Sequence, residues 1–176
     1  LRTARAICDA VRGQAVTVAL SVSGDLDDIA AMVRDVRPDI VHLCGLAGTL
    51  PPDDVRALRG RLPDNVRIMQ AISVAGPEAV DTARAYQDTA DFLILDTQAP
   101  DIAGIGASGK THDWTISRAI VERVSIPVIL AGGLSPENVA RALADLGDLP
   151  WGVDVASGVE GPDRRKDAQK LRDFVD

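Results

Sequence analysis

Short apolar runs rich in β-branched residues recur along the chain as VTVAL (16–20), IVHL (40–43), VRIMQA (66–71), FLIL (92–95), VILA (128–131) and GVDV (152–155). Runs of this length fit buried strands, and the polar stretches between them carry apolar residues at helical spacing. Six strands alternating with helices predict a parallel sheet covered by helices, because parallel neighbours need a crossover connection long enough to hold one. The spacing is regular except after FLIL, where the connection is longer.

The helices carry start and stop signals. Asp25 is placed to cap a helix running to Val36, with Leu26, Ile29, Ala30 and Val33 on one face. Pro136, after Ser135, suits the first turn of another, since its missing N–H has no intrahelical partner there. Leu1, Ala4, Cys8 and Val11 lie three or four residues apart and predict an amphipathic first helix ending near Gly13. Cys8 is thus expected to pack a helix rather than end a strand.

At 176 residues and 46% hydrophobic content, the chain can bury the core of one domain. A formal net charge of −7 disfavours nucleic acid and anionic membranes as partners, so an anionic ligand must be captured locally. No apolar run approaches the ~20 residues needed to span a bilayer, and the expected setting is cytoplasmic. Cys8 and Cys44 have neither zinc nor C-x-x-C spacing and are expected to be reduced.

Candidate chemistry lies at the ends of the apolar runs. AGGLSPENV (131–139) follows VILA, and ASGVE (156–160) follows GVDV. Small residues let the backbone approach a ligand, and free N–H groups beside helix starts can cradle a phosphate. Such a pair of loops after the last two strands of a barrel is a common phosphate site, although an isolated glycine turn is equally a plain turn. Asp96 ends FLIL, where desolvation can raise a carboxyl pKa toward the working range of a general acid; a turn or cap residue is the plainer alternative.

GIGASGKT (104–111) fits the P-loop pattern, but it follows FLIL too distantly for a nucleotide loop. A substrate-covering loop whose Ser108 and Gly109 N–H groups join the phosphate site suits that position better. His42 and Cys44 share one side of IVHLCG, yet no oxyanion loop or partnering acid accompanies them, which favours packing or substrate contact.

In order and spacing, LILDT, SGKTHDW, LAGGLSPENV and GVDVASGVE with Lys166 and Asp167 resemble phosphoribosylanthranilate isomerase. The resemblance runs from the first helix to the C-terminus and implies a (βα)8 TIM barrel of which the chain covers helix 2 and strands 3 to 8. It also implies an Amadori rearrangement of a phosphorylated small-molecule substrate with neither metal nor organic cofactor. Asp96 would be the general acid, Asp154 would meet the anthranilate side, and Gly132, Gly133, Ser157 and Gly158 would hold the phosphate, joined by Ser108 and Gly109. Cys44 stands where the family usually has histidine.

The family's general base is a cysteine in a Lys-Ile-Cys-Gly-like first strand, and an arginine after the second strand meets the anthranilate carboxylate. Both fall outside the residues from Leu1 onward, and the AICDA segment containing Cys8 has no room to be that strand. The expectation is therefore a further N-terminal segment, or a homo-oligomer that covers the gap, with the 176-residue chain alone slow or inactive. A catalytically silent phosphate-binding or interaction protein is the alternative, and another phosphate-binding barrel of histidine or tryptophan synthesis is a third.

Overall fold

The computed structural model describes residues 1–45, 48–97, 113–147 and 150–176. Six strands form one sheet: β1 (Val18–Ser21), β2 (Ile40–Leu43), β3 (Arg67–Ser73), β4 (Phe92–Asp96), β5 (Val128–Leu130) and β6 (Gly152–Val153). They lie side by side in chain order and every neighbouring pair is parallel. The helices are α1 (Arg2–Ala10), α2 (Leu26–Val36), α3 (Pro52–Arg59), α4 (Ala79–Tyr86), α5 (Trp114–Val121), α6 (Val139–Leu146) and α7 (Ala168–Val175), with a single 3₁₀ turn at Ser157–Val159. Sequential parallel strands wound with helices on one side are part of a (βα)8 barrel.

Strand alternation sorts the core into two layers. Val41, Leu43, Ile68, Ile72, Leu93, Leu95, Val128 and Leu130 pack in one cluster with helix residues such as Ile29, Val33, Leu58, Ile120 and Leu146. Side chains of opposite parity, Ile40, Met69, Ala71, Phe92, Ile94 and Ile129, form a separate cluster on the inner side. The layers differ in completeness. On β1 and its flanks Val16, Val18, Leu20 and Val22 are 49 to 58% exposed.

Local chemistry explains most element boundaries. Asp25 caps α2 as expected, its carboxylate accepting from the N–H groups of Asp27 and Asp28. Cys8 is the buried residue of α1, in keeping with a packing role. The helix expected from Pro136 starts later, at Val139. Pro136 and Glu137 instead sit in a turn, because Asn138 accepts from Ser135 N–H at 2.8 Å and donates to Gly133 C=O at 2.9 Å. The run 152–155 pairs only through Val153 before turning into the 3₁₀ segment. At the opposite end of the sheet, Asp91 accepts from Ile68 N–H and from Arg59, tying β3 to α3.

No helix among the described residues is long and apolar enough to cross a membrane.

Candidate active site

Alternation along β4 sends Phe92 and Ile94 into the inner layer and places Asp96 on the same side at the strand's C-terminal end. One Asp96 carboxylate oxygen accepts from the Thr97 N–H at 2.6 Å. Two strands away, the Asp154 N–H donates to Leu130 C=O at 2.8 Å, which holds Asp154 at the same end of the sheet. Between them, β5 leads into Gly132 and Gly133, with φ of 85° and 65°. This left-handed backbone strains any residue bearing a side chain.

The three strand ends enclose a small cavity of about 40 Å³ lined by Asp96, Gly132, Gly133, Leu134, Asp154 and Ser157. Residues from three separate segments thus share one space, at the end of the sheet where (βα) barrels carry their chemistry. Among the described residues, the N–H groups of Gly132, Gly133, Ser157 and Gly158 donate to no backbone carbonyl. Gly158 itself is set back from the cavity. A Cβ on it would stand 1.9 Å from the Leu134 carbonyl oxygen, so its bare Cα is what lets the last two loops touch.

Electrostatics set the two carboxyl groups apart from ordinary surface acids. Burial, chiefly, pushes the Asp96 carboxyl up to about 6, with a smaller contribution from the nearby negative charge of Asp154, against the opposing Thr97 hydrogen bond. Burial also raises Asp154, while the Lys166 ammonium draws it back down. Lys166 is fixed by donating to Ala156 C=O at 2.7 Å and to Glu160 at 2.8 Å. A carboxyl titrating near 6 can be protonated in the resting site and still release its proton, as a general acid requires.

Three contributors are not evident from strand and loop patterns alone. Asn138 clamps the Gly133 loop through its two side-chain hydrogen bonds. Lys166 modulates Asp154 from a distant loop. Ser73 pairs in register with Asp96, and its hydroxyl is buried without a hydrogen-bond partner. An Asn three residues after a serine is a recognisable loop staple, whereas the other two placements depend on strand register and loop packing.

His42 and Cys44 sit on the inner side of β2, Cys44 within the inner cluster. Burial depresses the His42 imidazole to about 4, leaving it neutral near pH 7 with its Nε2 buried and unpaired. Ser108, Gly109 and the whole GIGASGKT segment lie outside the described residues. Among the described residues, no group of three His, Cys, Asp or Glu side chains is arranged to hold a metal ion.

The family model for N-(5′-phosphoribosyl)anthranilate isomerase matches residues 2–176. A relative of that name from Methanocella arvoryzae is 41% identical over 149 residues, covering 85% of this chain and 66% of its own. One from Halobacterium salinarum is 38% identical over 176 residues, covering 99% of this chain and 76% of its own. A crystal structure of phosphoribosyl anthranilate isomerase in complex with reduced 1-(o-carboxyphenylamino)-1-deoxyribulose 5-phosphate superposes with a TM-score of 0.76 at 25% identity, over 99% of this chain and 76% of the other. The chain thus spans 66% of the length of the first of these relatives, just under two thirds, and 76% of the second. The match of sequence over nearly every residue, together with the match of fold, shows that the chain belongs to the N-(5′-phosphoribosyl)anthranilate isomerase family.

Proposed function

We propose that this chain serves the Amadori rearrangement of N-(5′-phosphoribosyl)anthranilate to 1-(2-carboxyphenylamino)-1-deoxyribulose 5-phosphate in tryptophan biosynthesis. The observation that carries the reading is the shared cavity: a carboxyl group raised to about 6 faces the glycine-rich ends of β5 and β6. In this reading the N–H groups of Gly132, Gly133, Ser157 and Gly158 hold the phosphate, with Ser108 and Gly109 contributing from the long loop. The sugar then lies between phosphate and Asp96. Asp96 donates its proton to the ribose ring oxygen, the C1–O bond breaks, and the nitrogen lone pair forms the Schiff base.

Loss of the C2 proton to a base gives the enolamine, which tautomerises to the ketose product. The resemblance assigns that base to a cysteine of the family's first strand. Asp154 is assigned to the anthranilate side of the substrate. The reaction needs no metal or organic cofactor, the acidic chain engages neither nucleic acid nor membrane, and its setting is the cytoplasm.

Two measurements test the proposal. Titrating the 176-residue chain with reduced 1-(o-carboxyphenylamino)-1-deoxyribulose 5-phosphate should give saturable binding, weakened at least tenfold, or about 1.4 kcal/mol, by Gly133→Val. In the longest natural form of the protein, Asp96→Asn should keep that binding while turnover falls by about 100-fold or more. Undiminished turnover removes Asp96 from the acid role, and undiminished affinity in a folded Gly133→Val variant removes the phosphate site. Binding without turnover in the longest natural form would support the silent phosphate-binding reading instead.

A further inference from the structure

β3 and β4 run side by side with Met69 against Phe92, Ala71 against Ile94 and Ser73 against Asp96. The Val74 N–H donates to the Asp96 C=O at 3.0 Å, which holds this register to its last pair. Met69, Ala71, Phe92 and Ile94 all belong to the inner cluster, so alternation sends the side chains of Ser73 and Asp96 to the same inner side. Adjacent strands lie about 4.8 Å apart, a separation that lets a serine hydroxyl reach the carboxylate opposite it by rotation about χ1.

The Ser73 hydroxyl is buried and has no hydrogen-bond partner. Such a group is destabilising where it stands, and an alanine like Ala71, one step earlier in the same row, would avoid the penalty. Asp96 is short of donors in turn. Among the described residues its carboxyl accepts one hydrogen bond, from the Thr97 N–H at 2.6 Å. Burial raises that carboxyl to about 6, so near pH 6 a large share of it carries its proton. A protonated carboxyl gives a hydroxyl donor a weak partner, whereas the carboxylate left behind by proton transfer gives it a full charge. Ser73 also borders a cavity of about 230 Å³ under the loop that follows β2, which leaves its hydroxyl space to change rotamer.

We infer that Ser73 is a positioning residue for Asp96, its hydroxyl turning to donate to the Asp96 carboxylate as the proton leaves for the substrate. The inference rests on the isomerase reading for the step it serves. In that step the Asp96 O–H bond breaks, the proton goes to the ribose ring oxygen, and the electron pair stays on the carboxylate. Ser73 keeps its own proton and changes only its hydrogen bond. A donor uncommitted in the resting acid and engaged as charge develops stabilises the transition state more than the ground state, and the barrier falls. By favouring the ionised form, the same hydrogen bond holds the Asp96 carboxyl below the value that burial alone would set.

The first test follows the ¹³C resonance of the Asp96 carboxyl through a pH titration of the 176-residue chain. Ser73→Ala should weaken the acid at least threefold, moving its midpoint to higher pH, and Ser73→Thr, which keeps a hydroxyl, should return it toward wild type. In the longest natural form of the protein, Ser73→Ala should lower kcat about tenfold with KM within twofold and carry the alkaline limb of kcat to higher pH, again with recovery in Ser73→Thr. At pH 5, where Asp96 is mostly protonated, the alanine variant should melt no lower than wild type, since it loses only an orphan hydroxyl. An unmoved carboxyl midpoint, an unchanged kcat, or a lower melting temperature at pH 5 in Ser73→Ala would each overturn the inference. Absence of turnover in the wild-type longest form would remove the isomerase reading instead, and the carboxyl titration would still decide whether Ser73 serves Asp96.

Discussion

At the scale of single residues, two half-buried titratable groups on the inner side push stability in opposite directions as pH changes. Asp96 has its carboxyl raised from an ordinary 3.8 to about 6. Between those values the folded chain binds more protons than the unfolded one at this group, so its contribution to stability is complete below about pH 4 and is lost as pH rises through 6. His42 runs the other way. Its imidazole falls from 6.5 to about 4 on folding, so protonation of the unfolded state erodes stability as pH drops through that window. Melting temperatures of Asp96→Asn should exceed wild type at pH 8 and converge with it near pH 4. A His42→Leu variant should gain on wild type as pH falls from 7 to 4. Parallel curves for wild type and both variants would show that neither group titrates as its burial dictates.

Among the elements, the apolar runs and helix caps were legible because their causes are local. IVHL is β2 to the residue, FLIL is β4 up to Asp96, and Asp25 caps α2, each set by alternation or by a side chain reaching its own helix start. Placement of Asp96 beside the paired glycine loops was legible too, through its strand-end position and the LILDT context of the family resemblance. Pro136 misleads because Asn138 competes for the same turn, holding Ser135 and Gly133 with its side chain and delaying α6 to Val139. The role of Gly158 was hidden for a different reason: what it avoids is the Leu134 carbonyl on another loop, a contact created only by folding. Gly158→Ala must push those loops apart. A loss of about 1–3 kcal/mol is expected, seen as a lower melting temperature and accompanied by weaker binding of the phosphorylated product analogue. An alanine variant that melts and binds like wild type would mean the loops have room to separate.

For the molecule as a whole, the two sheet faces differ in how fully they are buried, and that difference has a measurable consequence. The helix-facing side is closed by residues at or near zero exposure, among them Ile29, Leu58, Ile68, Leu93, Ile120 and Leu130. On the inner side, β3, β4 and β5 bury Met69, Phe92, Ile94 and Ile129, but Val18 and Leu20 on β1 are 49% and 55% exposed. Trp151, beside β6 with its ring centred 5.1 Å from that of Phe92 at a tilt of 52°, is 63% exposed. Apolar side chains clustered at a strand edge exceed the scattered exposure normal for a surface, and such patches recruit hydrophobic probes. The folded 176-residue chain should enhance the fluorescence of 8-anilinonaphthalene-1-sulfonate well below its melting transition, despite the dye's negative charge and the chain's own net charge of −7. Lysine at Val18 and Leu20 would improve electrostatic attraction for that dye, so a decrease in fluorescence on making Val18→Lys and Leu20→Lys together can come only from loss of the apolar contact. Near-ultraviolet circular dichroism that matches wild type would show the fold intact in the double variant. Absence of dye enhancement in the wild-type chain, or enhancement that survives both substitutions, would place the accessible apolar surface elsewhere than the inner side of β1.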